Sequence, residues 1–437
     1  MELAQRQSLA YKMWACNLFL LALALGVALA GKARFDNYVV YRVVPTTQDQ
    51  VDALRDIEDQ PDGLNFWAGP TQPNGTVDVM VPPHKIADFE DMMNIINANY
   101  VVFIEDVQKL VDSERPSVEA RSASFGWNDY YRIDQEVART YPAASLIHAG
   151  RTFEGRQILG LKISYRNNNP GVFLEGGIHA REWIAPATLT FIINQLLTST
   201  NTAIRNVAEN FDWYIVPSAN PDGYEYSHTN KTTHNSRSWI VMRVGHALFQ
   251  DRMWRKTRSP SNILCRGADP NRNWGFQWNT GGSSSLACSD TFHGSSAFSE
   301  IETRTLSEYI TTIASKLKVY VSIHSYMQML LLPYGFTRTR VSNYNSLLDI
   351  GQKSIASLAS RYGTQYSVGN VVDLLYVASG SSVDWVMGVH GISNAFIYEL
   401  RDTGRNGFVL PASEIIPTGQ ETLDALITLV IESRKTF

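Results

Sequence analysis

Apolar residues between positions 34 and 110 recur with two different periods. Tyr38 to Val44 reads as a strand, whereas Thr47 to Glu58 sets Val51, Leu54 and Ile57 at helical spacing. Leu64 to Ala68 and Val77 to Val81 are short strand candidates. A second amphipathic helix then gathers Ile86, Phe89, Met93 and Ile96 on one face, and Val101 to Val107 closes as a strand. The order β-α-β-β-α-β predicts a small ferredoxin-like α+β unit.

Further along, short apolar runs alternate with longer helical patterns. Strands are expected at Val172 to Glu175, Trp213 to Pro217, Val319 to His324 and Ala395 to Glu399. Helices are expected near Ala185 to Leu197, Glu300 to Ala314, Asn343 to Arg361 and Glu421 to Glu432. This alternation predicts an α/β domain, a mixed and largely parallel sheet with helices on both faces. Between the two units, Asp112 to Arg121 is polar and without periodicity, as a linker is. It holds Arg115 and Arg121. Arg115 precedes Pro116, a bond that trypsin-like proteases cut poorly, so Arg121–Ser122 is the expected nick. The expected units are therefore 34–121 and 122–437.

The N-terminus adds a targeting segment. No charge falls between Met13 and Gly31, and the apolar stretch Leu18 to Ala30 stops short of the roughly 20 residues a spanning helix needs. Ala28-Leu29-Ala30 offers the small-x-small pattern of a signal-peptidase site, so 1–33 is expected to leave as a signal peptide, cut near Ala30 or Ala33. The competing reading is an uncleaved anchor. Secretion changes the meaning of the three cysteines. Cys16 would leave, and in an oxidising compartment Cys265 and Cys288 most simply pair. Two cysteines without C-x-x-C spacing do not suggest a zinc site.

Composition narrows the function classes. Hydrophobic residues at 44% and charged residues at 18% describe a globular protein, and a net charge of −4 without any basic run gives no sign of a nucleic-acid partner. The charge is unevenly shared. Residues 34–121 hold 16 acids against 7 bases, and residues 122–437 hold 25 against 28. An acidic module tethered to a weakly basic one is drawn toward it and suits a cationic cleft.

Candidate chemistry begins with His179 and Glu182 in Gly-Gly-Ile-His-Ala-Arg-Glu-Trp, just past an expected strand. A three-residue separation lets an imidazole and a carboxylate converge on one ion, and strand ends are where α/β sheets gather ligands. His-x-x-Glu alone is a weak signal. His324 ends another expected strand, and two close ligands with a distant third make an open catalytic zinc site.

The surrounding motifs are more specific. They run from His-Ala-Arg-Glu-Trp at 179–183 and Asn-Pro-Asp-Gly-Tyr at 220–224 to Trp-Arg-Lys-Thr-Arg at 254–258 and Asp-Pro-Asn-Arg-Asn-Trp at 269–274. Ser-Ile-His-Ser-Tyr at 322–326 and Glu-Leu-Arg-Asp-Thr-Gly at 399–404 complete the set. From about Gly126 onward the chain resembles the zinc carboxypeptidases of the pancreatic A/B family, and the acidic module resembles that family's activation segment. The resemblance implies one Zn²⁺ on His179, Glu182 and His324, with Asp269 orienting His179 and Glu399 as the catalytic carboxylate. It implies that Arg258 polarises the scissile carbonyl, and that Asn271, Arg272 and Tyr376 clamp the substrate's terminal carboxylate. Arg181, Ser325 and Tyr326 become further substrate contacts. It sets Val383 at the floor of the side-chain pocket, with Leu331, Gly335, Val371 and Ile397 around it. No carboxylate is among these, which implies release of bulky apolar residues; Asp373, close to Tyr376, is the one acid that would alter this by turning inward.

The expected partners are peptide C-termini and an activating trypsin-like protease, with a monomeric enzyme and no membrane contact after signal cleavage. One departure is an excess of about 20 residues between His228 and Asp251, either a surface loop or a retained intron. Asn74-Gly75-Thr76 and Asn230-Lys231-Thr232 are glycosylation sequons. Two other function classes are a binding or inhibitory protein that has lost its chemistry and an anchored ectodomain; the intact ligand set with Glu399 speaks against the first.

Overall fold

The computed structural model describes residues 33–60, 63–114, 126–127, 129–130, 141–228 and 251–437. The signal segment, Arg115, Arg121, Asn230 and the 229–250 excess lie outside these residues.

The first unit follows the expected order. Strand β1 (Val39–Val44), helix α1 (Gln48–Glu58), strands β2 (Asn65–Ala68) and β3 (Val77–Val81), helix α2 (Ile86–Ile95) and strand β4 (Asn99–Ile104) succeed one another. The four strands pair antiparallel in the order β2-β3-β1-β4. Helix α1 starts where the sequence says it should. The Thr47 hydroxyl accepts from the Gln50 backbone N–H while the Gln50 side chain reaches back to the cap, which satisfies two otherwise orphan donors. Leu54, Phe89 and Met93 are buried against Tyr41, Val43, Val77, Val79 and Val81 in this unit's core. A short helix α3 (Val107–Ser113) leads out of the unit, capped by Asp106.

The second unit is built on strands β5 (Ala144–Arg151), β6 (Gln157–Ile163), β7 (Gly171–Gly176), β8 (Asp212–Val216), β9 (Leu317–Ser325), β10 (Met329–Leu332), β11 (Ser367–Asn370) and β12 (Asn394–Leu400). They form one sheet in the order β11-β10-β12-β9-β7-β8-β6-β5. The central run β12-β9-β7-β8 is parallel, while β10 meets β12, and β6 meets both β8 and β5, antiparallel. The sheet is thus mixed, with parallel pairing concentrated at its centre. Every residue of β7 and β8 is buried, so both faces are covered there, which is why these strands read as continuous apolar runs. Helix α11 (Ile415–Ser433) packs on both α4 (Ile184–Thr198) and α8 (Tyr344–Tyr362), and α10 (Ser382–His390) lies on β9 and β12. The others are α5 (Thr202–Asn210), α6 (Pro221–Ser227), α7 (Ile301–Ile313) and the single turn α9 (Val371–Leu374). No helix among the described residues is long and apolar enough to cross a membrane.

Cys265 and Cys288 are bonded, with their Cα atoms 5.1 Å apart and a sequence separation of 23. Closing such a loop stabilises by about 3 kcal/mol in the chain-entropy model.

An apolar seam joins the two units. Phe35, Val40, Trp67, Met80, Ile104 and Val107 from the first pack with Met253, Tyr326, Phe408 and Val409 from the second. Polar contacts fix the register. Asp78 binds Arg42 at 2.7 Å and accepts from the Tyr326 hydroxyl at 2.9 Å, and the Arg252 Nε donates to Glu114 at 3.0 Å. Both Glu114 and Arg252 are buried, so removing either alone would strand a charge.

Candidate active site

The site forms at the carboxyl ends of the central parallel strands, where chain connections leave a crevice. His179 and Glu182 lie on the turn that follows β7, and His324 lies near the end of β9. Parallel pairing sets Glu399 of β12 in register with His324. Residues 75 positions apart in sequence are thus neighbours by strand register alone.

The three ligand candidates converge. Their ligating atoms all lie within 4.8 Å of one another, and each residue is buried. His179 Nδ1 is 2.7 Å from Glu182 Oε1, and His324 Nδ1 is 3.1 Å from Glu182 Oε2 and 3.2 Å from His179 Nδ1. Each ring is held from its other side. His179 Nε2 lies 3.0 Å from Asp269, an acceptor, so this nitrogen carries the proton and Nδ1 presents a bare lone pair. His324 Nε2 lies 2.9 Å from the Ser322 hydroxyl, which can accept in the same way. With both rings protonated on Nε2, two lone pairs and a carboxylate face one another, an arrangement that suits a cation. Two imidazoles and one carboxylate are a catalytic zinc donor set with a position left open.

Asp269 is the brace of this arrangement. It is buried, takes Arg255 Nε at 3.1 Å and Nη2 at 2.8 Å, and accepts the Asn271 backbone N–H at 2.8 Å. Burial alone would raise its carboxyl, but Arg255 and then His179 hold it well below the usual range.

These groups open on a cavity of about 320 Å³ whose walls include Asn271, Arg272, Ser325, Tyr326, Tyr376 and Glu399. Arg272 donates Nη2 to the Tyr376 hydroxyl at 3.2 Å and Nε to the Gly282 carbonyl at 3.0 Å. The carboxylate of Glu399 makes no hydrogen bond to another described residue. The ordinary alternative, an ion pair with Arg401, is excluded, because Arg401 binds Glu421 and Glu414 instead. Burial pushes Glu399 up to about 8, against the opposing pull of His324.

Leu331, Gly335, Val371 and Ile397 also line the cavity, joined by Met329, Leu374 and Leu375. Asp373 does not turn inward; its carboxylate pairs with Arg338 and Arg340.

Two expectations need correction, and a third residue stands apart. Arg258 is not at the cavity: its guanidinium lies 3.5 Å over Tyr226 and 4.6 Å over Trp254, with Glu154 at 3.7 Å. The arginine at the cavity is Arg255, three residues earlier in the same motif, with Nη1 3.9 Å from Glu182. Val383, 1% exposed, is not among the residues that line the cavity. Ser381 caps α10 by accepting from the Asp384 N–H, and that turn presents Ser381 to the cavity and Val383 to the interior. Arg181 is buried under the activation unit, donating to Asn65 at 2.9 Å and to the Phe66 carbonyl at 3.3 Å. Residues 67–69, 71–72 and 74–76 of that unit complete the cavity wall, a contribution no local motif announced.

Two buried imidazoles and a carboxylate converging on one point, beside a cleft that Glu399 lines, define a metal-dependent hydrolase. Residues 130–425 match the family described as zinc carboxypeptidase, and residues 41–114 match the carboxypeptidase activation peptide. The chain is 45% identical over 432 residues to zinc carboxypeptidase A 1 of Anopheles gambiae, covering 96% of this chain and 95% of that one. It is 34% identical to carboxypeptidase A1 of Homo sapiens, covering 95% and 98% of the two chains. Its fold resembles the crystal structure of carboxypeptidase A from Helicoverpa armigera, with a TM-score of 0.80, 29% identity and coverage of 92% and 98%. The chain belongs to the zinc carboxypeptidase family. It is a zinc-dependent exopeptidase of the carboxypeptidase A subfamily, with a His-Glu-His metal site and an N-terminal activation domain.

Proposed function

We propose that the protein is a secreted zymogen that, once cut at Arg121–Ser122, releases bulky apolar and aromatic residues from peptide C-termini. The observation that carries this is the apolar end of the cleft: Leu331, Val371, Leu374, Leu375 and Ile397 line it around Gly335, with Arg272 and Asn271 at the same cavity. A side chain buried there gains roughly 1.5–3 kcal/mol. A Lys or Arg head group would be left unpaired. One carboxylate does lie behind the wall, that of Asp384, but the N–H groups of Gly335 and Phe336 bind it at 2.9 and 3.2 Å. Burial also pushes it up to about 7, which weakens it as a partner for a cation.

The roles follow from position. His179, Glu182 and His324 hold one zinc, which when bound supplies a Lewis acid and lowers the pKa of a coordinated water. Glu399 takes the proton of the attacking water and delivers it to the departing amine. Arg255, pinned along one edge by Asp269, turns its Nη1 to the scissile carbonyl and stabilises the charge that grows there. Arg272 forms two parallel hydrogen bonds with the terminal carboxylate, and Asn271 and Tyr376 complete the clamp. Arg181, Ser325 and Tyr326 meet residues further from the cut bond. Every one of these residues comes from a single chain, so a monomer suffices.

The activation unit, which we take as a ferredoxin-like sandwich spanning 34–121 behind a signal peptide at 1–33, keeps substrate out. Support comes from its loop 69–76 on the cleft and from its hold on Arg181 and Tyr326. The test compares peptides that differ only in a terminal Phe or Lys, before and after tryptic activation. Activated enzyme should release Phe and leave Lys, while an uncut Arg121→Gln protein should release neither. Preference for Lys would overturn the apolar assignment, and full activity of the uncut variant would overturn the zymogen.

A further inference from the structure

The sequence Asn74-Gly75-Thr76 takes no part in the chemistry above, yet it sits on the loop joining β2 to β3 at the lip of the substrate cleft. Asn74, Gly75 and Thr76 line the same cavity as His179 and Glu399. Across the opening, Gln72 of this loop reaches the Asp373 carbonyl at 3.4 Å, next to the Leu374–Tyr376 wall.

Three local features suit Asn74 as an acceptor of sugar. It is exposed. It stands in a fixed turn with φ of 66°, a left-handed conformation that Asn tolerates, its N–H bonded to the Pro45 carbonyl at 2.6 Å and the Gly75 N–H to the Gln72 carbonyl at 3.0 Å. Its carboxamide makes no hydrogen bond to another described residue, so Nδ2 is available. The middle residue is Gly rather than Pro, and the third is Thr.

We propose that Asn74 is N-glycosylated, and that the oligosaccharide stands at the rim of the cleft in the zymogen and departs with the activation segment. The donor is a lipid-pyrophosphate-linked oligosaccharide. Asn74 Nδ2 forms a bond to C1 of its first sugar, the C1–oxygen bond to pyrophosphate breaks, the lipid pyrophosphate leaves, and the amide gives up one proton. No oxidant or reductant is involved. A bulky, hydrated chain at this lip adds a steric barrier to an incoming polypeptide, and tryptic activation removes it together with loop 69–76. This inference rests on the secretory reading above.

The test expresses the full chain in a eukaryotic cell line, collects secreted protein, cuts it with trypsin and weighs both fragments with and without an endoglycosidase. The 34–121 fragment should carry one enzyme-removable oligosaccharide. Thr76→Ala should abolish it and Thr76→Ser should keep it, both leaving the Asn74 backbone in place. Weighing the fragments separately distinguishes this sugar from any at Asn230. A secreted protein whose 34–121 fragment has its unmodified mass would overturn the site alone, as would sugar persisting in Thr76→Ala. A chain retained in the cytosol would overturn the secretory reading with it.

Discussion

Replacing Glu399 by Gln should lower turnover of a blocked dipeptide by about 10²–10⁴-fold while leaving zinc content at the wild-type level. The side chain keeps its volume and polarity, so the apolar wall beside it stays packed. What is lost is the proton transfer, first from the attacking water and then to the leaving amine. Glu399 is suited to that work because it lines the cavity beside His324, with Arg401 committed elsewhere to Glu414 and Glu421. A variant with wild-type rates would remove Glu399 from the reaction. A variant that lost its zinc would place the carboxylate among the ligands instead.

The second large effect separates two arginines of one motif. Arg255→Ala should reduce kcat by roughly 10²–10³-fold, the scale for loss of one donor to a developing oxyanion. Arg255 also braces Asp269 and through it His179, so zinc content must be measured alongside. Arg255→Lys, which keeps the charge without the fork, should retain zinc and recover part of the rate. Arg258→Ala should stay within a few fold of wild type in kcat, since its guanidinium is stacked on Tyr226 and Trp254 away from the cavity. A collapse of kcat in Arg258→Ala with an unaffected Arg255→Ala would reverse the assignment.

That pair shows where sequence reading ends. Trp-Arg-Lys-Thr-Arg holds two arginines at a spacing either of which could reach a substrate, and only the packing of Asp269 decides between them. Val383 fails for a similar reason. Its place seven residues past Tyr376 is legible, but which face of the first turn of α10 meets the cavity depends on the Ser381 cap. The metal ligands were legible because each follows or ends a buried, continuous apolar strand, a pattern that parallel sheets impose. Strands β7, β8, β9 and β12 lie within two residues of their expected bounds for that reason. The outer strands β5, β6, β10 and β11, two at each side of the sheet, carry mixed faces or are only four residues long, and their patterns do not separate from loops. Helix α11 begins six residues before its expected start because Pro417 lies in its first turn, where a missing N–H does no harm. The contribution of residues 67–76 to the cleft could not be read locally, since it depends on how two units dock.

The most direct measurement strips the activated enzyme with a chelator and adds zinc back while following release of a terminal Phe. Release should vanish on stripping and return in proportion to zinc until one ion is bound per chain. His324→Ala, lacking one of three converging ligands, should bind zinc far more weakly and stay inactive at the same zinc concentration. Undiminished Phe release from the stripped enzyme, or full recovery of His324→Ala at stoichiometric zinc, would contradict a reaction centred on His179, Glu182 and His324.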